Sequence, residues 1–463
     1  MKVLLVKAHS YGSAKGIGAP IGLGYIASIL EEDGHKVQIK DLMLTKSSNA
    51  EVVFNKTLKK MKPDILGITC NSHERFFAFD VARWSKKSED IKVVMGGPHV
   101  TSTAEETLKN VPNVDIIVRH EGELIMREIC DKVENGKSIE NVDGISFRNK
   151  GKIHTTQNKR FISDLDSIPF PARHLLEIKD YDLFLPIPEE PRVTNLITSR
   201  GCPFKCNFCS ATVMGGNTIR MRSPENSVDE IEQILSSHPF LEGLFIYDDN
   251  FLFNKKRVIR ICEEIKDRRL DFRWGCYGRV DHIDREVVQK LKSAGCEMIS
   301  FGMESGSRKI LEAMNKKTTP EVATKAIKTV KSEGLFARCS FLLGYPRENI
   351  IDIFRTYILM MNTGVSPYEV IMALYPILYP GTILFEELKK SDYLPREFNW
   401  EDKFDIRAFK DVPLYIPLHD NSRKFFRLLF STLFLLNYSL RNRGSGSHIK
   451  KAISNLLIRL TSH

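Results

Sequence analysis

No stretch of 18 or more residues in this 463-residue chain is both uncharged and strongly apolar, so no transmembrane helix is expected. The start, Met1-Lys2-Val3-Leu4-Leu5-Val6, is too short for a signal-peptide core and reads as a first strand. Nothing therefore directs the chain out of the cytoplasm, and a cytoplasmic location is expected. The nine cysteines, at 70, 130, 202, 206, 209, 262, 276, 296 and 339, are odd in number in a chain without an export signal, which argues against a disulfide framework. Six stand singly and read as small buried residues. No internal repeat or low-complexity tract stands out. Gly12–Gly18 contains glycines but no G-x-G-x-x-G that opens a helix, so a dinucleotide site is disfavoured. Acidic residues are missing from 421–463, which holds eight Lys or Arg. That tail accounts for most of the net charge of +10, so the basicity describes a C-terminal appendage and not the main body.

What is present is alternation. In the first 140 residues, strand candidates at Val3–Val6, Val37–Ile39, Ile65–Thr69, Val93–Met95 and Ile116–Val118 alternate with amphipathic segments such as Ile21–Asp33. Alternation with short links predicts a parallel, doubly wound sheet, whose ligands sit beyond the carboxyl ends of the strands. Residues 141–190 read as a linker: a hairpin over 144–154, then the proline-punctuated Asp164–Pro171. A second series follows, with strands at 194–198, 243–247, 273–277, 298–302, 338–343 and 369–374 and helices between them. Six βα units in order predict a partial or complete parallel barrel, with functional groups at the carboxyl strand ends. The expected domains are 1–140, a linker at 141–190, a barrel over 191–390, and a basic helical region over 391–463.

Directly after the first strand of the second series comes Arg200-Gly201-Cys202-Pro203-Phe204-Lys205-Cys206-Asn207-Phe208-Cys209. Cys202, Cys206 and Cys209 are spaced C-x3-C-x2-C. Three thiolates this close can face one metal centre, and soft ligands suit zinc or iron–sulfur. A closed zinc site needs a fourth ligand, and none lies close: the next Cys or His after the triplet is His238, well down the chain. Three ligands on a cubane leave one iron open to a substrate-like molecule.

The triplet resembles the signature of the radical S-adenosylmethionine (SAM) superfamily, including the aromatic Phe208 before the last cysteine. The resemblance implies a [4Fe–4S] cluster whose open iron binds SAM and cleaves it to a 5′-deoxyadenosyl radical. It also implies SAM contacts near Asp248 and Asp249, Arg279, Glu304 and Ser305, and Gly344, each at a strand end. Singly, each has a plain reading as a helix cap, a surface carboxylate or a turn.

A doubly wound domain ahead of such a barrel resembles the cobalamin-binding subfamily. The matching runs are Ala19-Pro20-Ile21-Gly22-Leu23-Gly24-Tyr25-Ile26-Ala27, Gly96-Gly97-Pro98-His99 and Glu121-Gly122-Glu123. Gly12, Gly22, Gly96, Gly97 and Glu121 are the candidate cobalamin residues, the glycines allowing a corrin to approach backbone closely. The subfamily's D-x-H-x-x-G motif is only partly matched by Lys7-Ala8-His9-Ser10-Tyr11-Gly12: Lys7 stands where Asp would orient the His. His9 is therefore not expected to be the lower cobalt ligand.

The implied fold is α/β: a Rossmann-like cobalamin-binding-type domain, a radical SAM (β/α)6 partial barrel, then basic helices. The implied chemistry is methylation of an unactivated carbon through methylcobalamin. Radical cyclisation or C–C coupling of a tetrapyrrole or lipid is the alternative, and a non-catalytic cobalamin or metal sensor is the alternative of another class. A small-molecule or lipid-like substrate and an electron donor such as flavodoxin or ferredoxin are expected, and no nucleic acid. The apolar, basic tail at 421–463 is fitted to pack on the protein or to lie on an anionic membrane surface.

Overall fold

The computed structural model describes residues 1–9, 18–86, 91–159, 161–373, 376–391, 394 and 399–400. Gly12 and the tail 421–463 lie outside the described residues. The chain divides into two compact units. The first contains Met1–Phe184, Thr194–Ile234 and the described part of Leu378–Ile406; the second contains Leu185–Val193 and Leu235–Ile377. The expected border at 190 thus does not coincide with theirs, because Thr194–Ile234, the cysteine triplet included, group with the first unit.

That sheet has seven strands: β1 (Lys2–Lys7), β2 (Lys36–Asp41), β3 (Ile65–Thr69), β4 (Lys92–Gly96), β5 (Ile116–Val118), β6 (Ile145–Asn149) and β7 (Lys152–Thr155), in the order β2-β1-β3-β4-β5-β6-β7. β1 to β5 are parallel. The Val, Leu and Ile runs of β1, β3, β4 and β5 are buried on both faces, as helix-covered parallel strands require, while the edge strand β2 exposes Lys36 and Gln38. The hairpin β6–β7, expected inside the linker, instead pairs antiparallel with β5 and extends this sheet to Thr155. Ile145, Ser146 and Phe147 are buried, and His154, opposite Phe147, stacks its ring on that of Phe147 at 5.5 Å.

The remaining strands are β8 (Val193–Leu196), β9 (Ser199–Arg200), β10 (Arg220–Met221), β11 (Gly243–Ile246), β12 (Arg273–Gly278), β13 (Cys296–Glu304), β14 (Phe336–Leu342) and β15 (Val370–Ala373). The second sheet has six strands in the order β15-β14-β13-β12-β11-β8. Every register from β11 to β15 is parallel. Helices between them start where the sequence supplies caps. Asn254, Asp284 and Thr319 each accept a backbone N–H of the following first turn, and Asn349 forms a capping box with Asp352. One face of the sheet is fully apolar: Leu244, Ile246, Trp274, Cys276, Ile299, Phe301, Cys339 and Phe341 are buried. The other face carries Tyr247, Tyr277, Arg338 and Ser340, which keep partial exposure.

Candidate functional site

β9 and β10 pair antiparallel, Arg200 opposite Arg220, and form the neck of the loop that carries the three cysteines. Gly201 sits at φ +86°, and a Cβ there would lie 2.5 Å from the Thr218 carbonyl oxygen and 2.6 Å from that of Gly215. The neck closes because both Gly201 and Gly215 lack a side chain. Inside the loop the Cys209 amide donates to the Cys206 carbonyl at 3.1 Å, and the Leu384 amide donates to Asn207 O at 2.8 Å. Cys202, Cys206 and Cys209 are partly exposed; the other six cysteines are buried, and none of the nine forms a disulfide. Burial pushes the Cys130 thiol up to about 12 and those of Cys70, Cys262, Cys276 and Cys339 above their ordinary value as well. Inert core thiols are thus separated from three reachable ones. Among the described residues no three His, Cys, Asp or Glu side chains are grouped as a single bare metal ion would need. The fit to an iron–sulfur cluster therefore rests on three soft donors of one loop and their exposure.

The neck is fastened to the end of β5. Glu121 accepts from Arg220 Nη1 at 2.8 and 2.9 Å, from Arg200 Nη1 at 3.1 Å and from the Ile162 amide at 2.8 Å. Glu123 takes the other Arg200 nitrogen at 2.7 Å. Burial alone would push the Arg200 guanidinium down, but Glu123 and Glu121 outweigh it and hold it above its ordinary value. His120, at φ +63°, donates Nδ1–H to Val213 O at 2.9 Å, just beyond the cysteines. The short helix Ala211–Gly215 packs on Pro98–Ser102, the segment after Gly96-Gly97. The carboxyl ends of β4 and β5 and the cysteine loop are therefore neighbours.

The other candidate cobalamin residues divide into packing and open positions. Gly97, at φ +108°, has room only for hydrogen, since a Cβ would lie 2.8 Å from Cys70 O. Gly96 tolerates ordinary contact with Val118, and Gly22 faces open space. Gly24 is needed by the linker, because its Cβ would meet Pro171 at 2.9 Å. Lys7, which replaces the motif's Asp, ends β1 beside Glu74 (3.9 Å). His9 is buried with its ring 5.2 Å from that of Phe77. His99 is fully buried: Nδ1 meets Ser72 Oγ at 3.1 Å, Nε2 has no hydrogen-bond partner, and burial with the Arg75 charge pushes its pKa down to about 3.

In the second unit the expected SAM residues line the ends of β11 to β14. Asp248 is buried and Asp249 exposed. Arg279 donates to Asp281 and, at 2.8 Å, to Lys316 O; Lys316 Nζ donates to Glu304 at 2.8 Å. Glu304 holds the left-handed φ of +60° at the register shift that ends β13. Ser305 is fully buried on Thr356 Oγ1 at 3.2 Å and on the Ser307 amide. Gly344 sits at φ +76°, its amide donating to Glu348. Burial raises the Glu348 carboxyl to about 7. In this polar belt of strand ends Lys316, a residue the sequence reading missed, ties Arg279 to Glu304, while Ser305 and Gly344 have other partners.

Arg200, Arg220 and Glu230 were also missed. Glu230 pairs with Arg173 at 2.8 Å and with Arg222, which also meets the Tyr25 hydroxyl at 3.4 Å. A signal existed, in that arginines flank the cysteine run on both sides, but charges at that spacing normally read as solvated surface.

The Radical SAM superfamily matches residues 196–360 and the B12 binding domain matches residues 11–130. An uncharacterised methyltransferase of Pyrococcus horikoshii is 35% identical over 83% of this chain and 83% of its own. The anaerobic magnesium-protoporphyrin IX monomethyl ester cyclase of Rubrivivax gelatinosus is 32% identical over 84% of this chain and 70% of its own. Among solved structures, the cobalamin-dependent SAM radical enzyme OxsB with aqua-cobalamin bound shares the fold, with a TM-score of 0.75, 19% identity, and coverage of 99% of this chain and 71% of that one. The radical SAM methyltransferase TsrM of Kitasatospora setae does so at a TM-score of 0.71, 17% identity, and coverage of 84% and 78%. The chain belongs to the family of radical SAM enzymes that carry a B12-binding domain.

Proposed function

We propose that this enzyme methylates an unactivated carbon of a small-molecule substrate, with a [4Fe–4S] cluster on Cys202, Cys206 and Cys209, SAM on the polar belt of the second unit, and cobalamin at the carboxyl end of the first sheet. The observation that carries the reading is the seating of the cysteine loop on the ends of β4 and β5 through His120–Val213 and Glu121–Arg220. When bound, the cluster and SAM supply a carbon-centred radical, and the corrin supplies a transferable methyl group.

The protein's own residues bind and orient. Gly22 and Gly96 leave backbone approachable. Lys316 and Arg279, paired with Glu304 and Asp281, hold that part of the belt in place. Lys7, beside Glu74 at 3.9 Å, stands in the motif position of the orienting carboxylate, which speaks against His9 as the residue that would hold the metal of a bound corrin. An external flavodoxin- or ferredoxin-like donor supplies the electrons.

The similarity to a methyltransferase favours methylation, and that to a cyclase gives the second reading. Incubation with SAM, hydroxocobalamin and a chemical reductant distinguishes them. Formation of both 5′-deoxyadenosine and S-adenosylhomocysteine is expected for methylation. Deoxyadenosine without S-adenosylhomocysteine would replace it with cyclisation or coupling.

A further inference from the structure

We propose that Glu121 is a positioning residue that couples corrin loading at the carboxyl end of the first sheet to the conformation of the cysteine loop. The inference rests on the reading that this sheet end takes cobalamin. Three residues just past β5 grip the loop at three places. His120 holds its downstream side at Val213; Glu121 holds both strands of the neck, β9 through Arg200 and β10 through Arg220; Glu123 takes the second nitrogen of Arg200.

Both Glu121 oxygens are occupied, by two guanidinium groups and the Ile162 amide. The carboxylate therefore acts through the loop and not on a cofactor. The four side chains have little exposure, 11% for Glu121, 16% for Arg200, 10% for Arg220 and 6% for Glu123, so water cannot easily substitute for a lost partner. Arg220 also donates to Gly215 O at 3.1 Å, the residue that closes the neck against Gly201. A displacement at the end of β5 is thus passed to the neck through rigid, charge-assisted contacts. Two acids and two bases balance in charge, so the joint needs no further ion.

The test is hydrogen–deuterium exchange of iron-free protein with and without hydroxocobalamin, following peptides over 199–221, with corrin binding measured separately by visible absorbance. In the wild type, corrin should slow exchange of these peptides by roughly five- to a hundredfold, the usual range of coupling between two sites. Glu121→Gln places an amide N–H against a guanidinium or the Ile162 amide; it should bind corrin yet lose the slowing. Arg220→Lys, which keeps the charge but not the fork, should do the same and guards against misfolding of the first variant. A purely structural Glu121 would change the baseline exchange without changing the response to corrin. Corrin binding with no response in the wild type, or a full response in both variants, would overturn the coupling alone. No corrin binding by the wild type would overturn the cobalamin reading with it.

Discussion

Replacing Glu230 by alanine would strand two buried guanidinium groups. Glu230 is 1% exposed, with Arg173 at 8% on one oxygen and Arg222 at 5% on the other. Arg173 is the more vulnerable. Its Nη2 donates to Glu230 and, at 2.9 Å, to Asn195 O in β8, while its Nε and Nη1 are buried without partners. Without Glu230 it becomes a buried cation held by a single carbonyl. Arg222 keeps Ile197 O at 3.0 Å and Asn226. Removing one partner of a buried pair costs about 3–5 kcal/mol, because the remaining charge stays desolvated. A chain of two units need not unfold in one step, so local opening is the proper readout. Native-state exchange of the β8 amides should quicken by roughly two to three and a half orders of magnitude, at 1.36 kcal/mol per decade. Glu230→Gln keeps shape and acceptor but not charge, and should fall between. Less than a tenfold change in Glu230→Ala would mean that water reaches the arginines and that the centre is not a buried one.

Further predictions follow from single positions. Gly201→Ala should prevent closure of the loop neck, given φ +86° and a contact of 2.5 Å to Thr218 O; iron content after reconstitution should fall well below wild type, and wild-type content would show that the neck is not needed. His99 and Glu348 should give the two units opposite acid responses. His99 has its pKa lowered to about 3 by burial, so its contribution is complete above the ordinary 6.5 and is lost as pH falls from 6.5 towards 3. Glu348 is raised to about 7 by burial, so its contribution is complete below the ordinary 4.5 and is lost as pH rises from 4.5 through 7. Between pH 4.5 and 6.5, acidification should therefore raise exchange in peptides over 97–103 and lower it over 343–352, each by at most about 1.4 kcal/mol per pH unit. His99→Gln and Glu348→Gln should flatten their own response; an unchanged slope in either would refute that group's role.

Much of the fold was legible because its signals are local. Uninterrupted runs such as Ile65–Thr69 and Ile116–Val118 are strands at those bounds, since no polar residue could interrupt a strand buried on both faces. The helices Arg285–Ser293 and Pro320–Ser332 begin directly after Asp284 and Thr319, whose side chains cap them, again a local signal. The helix Ala50–Met61 was missed because only Ala50, Phe54, Leu58 and Met61 are buried, among lysines. The hairpin β6–β7 was recognised but given to the linker, because pairing with β5 is a non-local fact. The same limit governs the site. The cysteine spacing is written in eight residues, whereas Glu121 meets Arg200 and Arg220 across 79 and 99 residues of chain. Its place at a strand end suggested a cofactor contact, and the structure shows a carboxylate already engaged by arginines. Nor could the sequence show that β8 and the cysteine loop pack with the first unit, since the βα alternation continues without a break from 194 onward.

The most direct measurement is anaerobic reconstitution with iron, sulfide and hydroxocobalamin, followed by ultraviolet–visible spectra and product analysis with SAM and a reductant, on the wild type and on Cys206→Ala. Bound corrin, an iron–sulfur absorbance and 5′-deoxyadenosine in the wild type, with cluster and product lost in the variant, are what the account predicts. Wild-type iron content and deoxyadenosine formation in Cys206→Ala would contradict it.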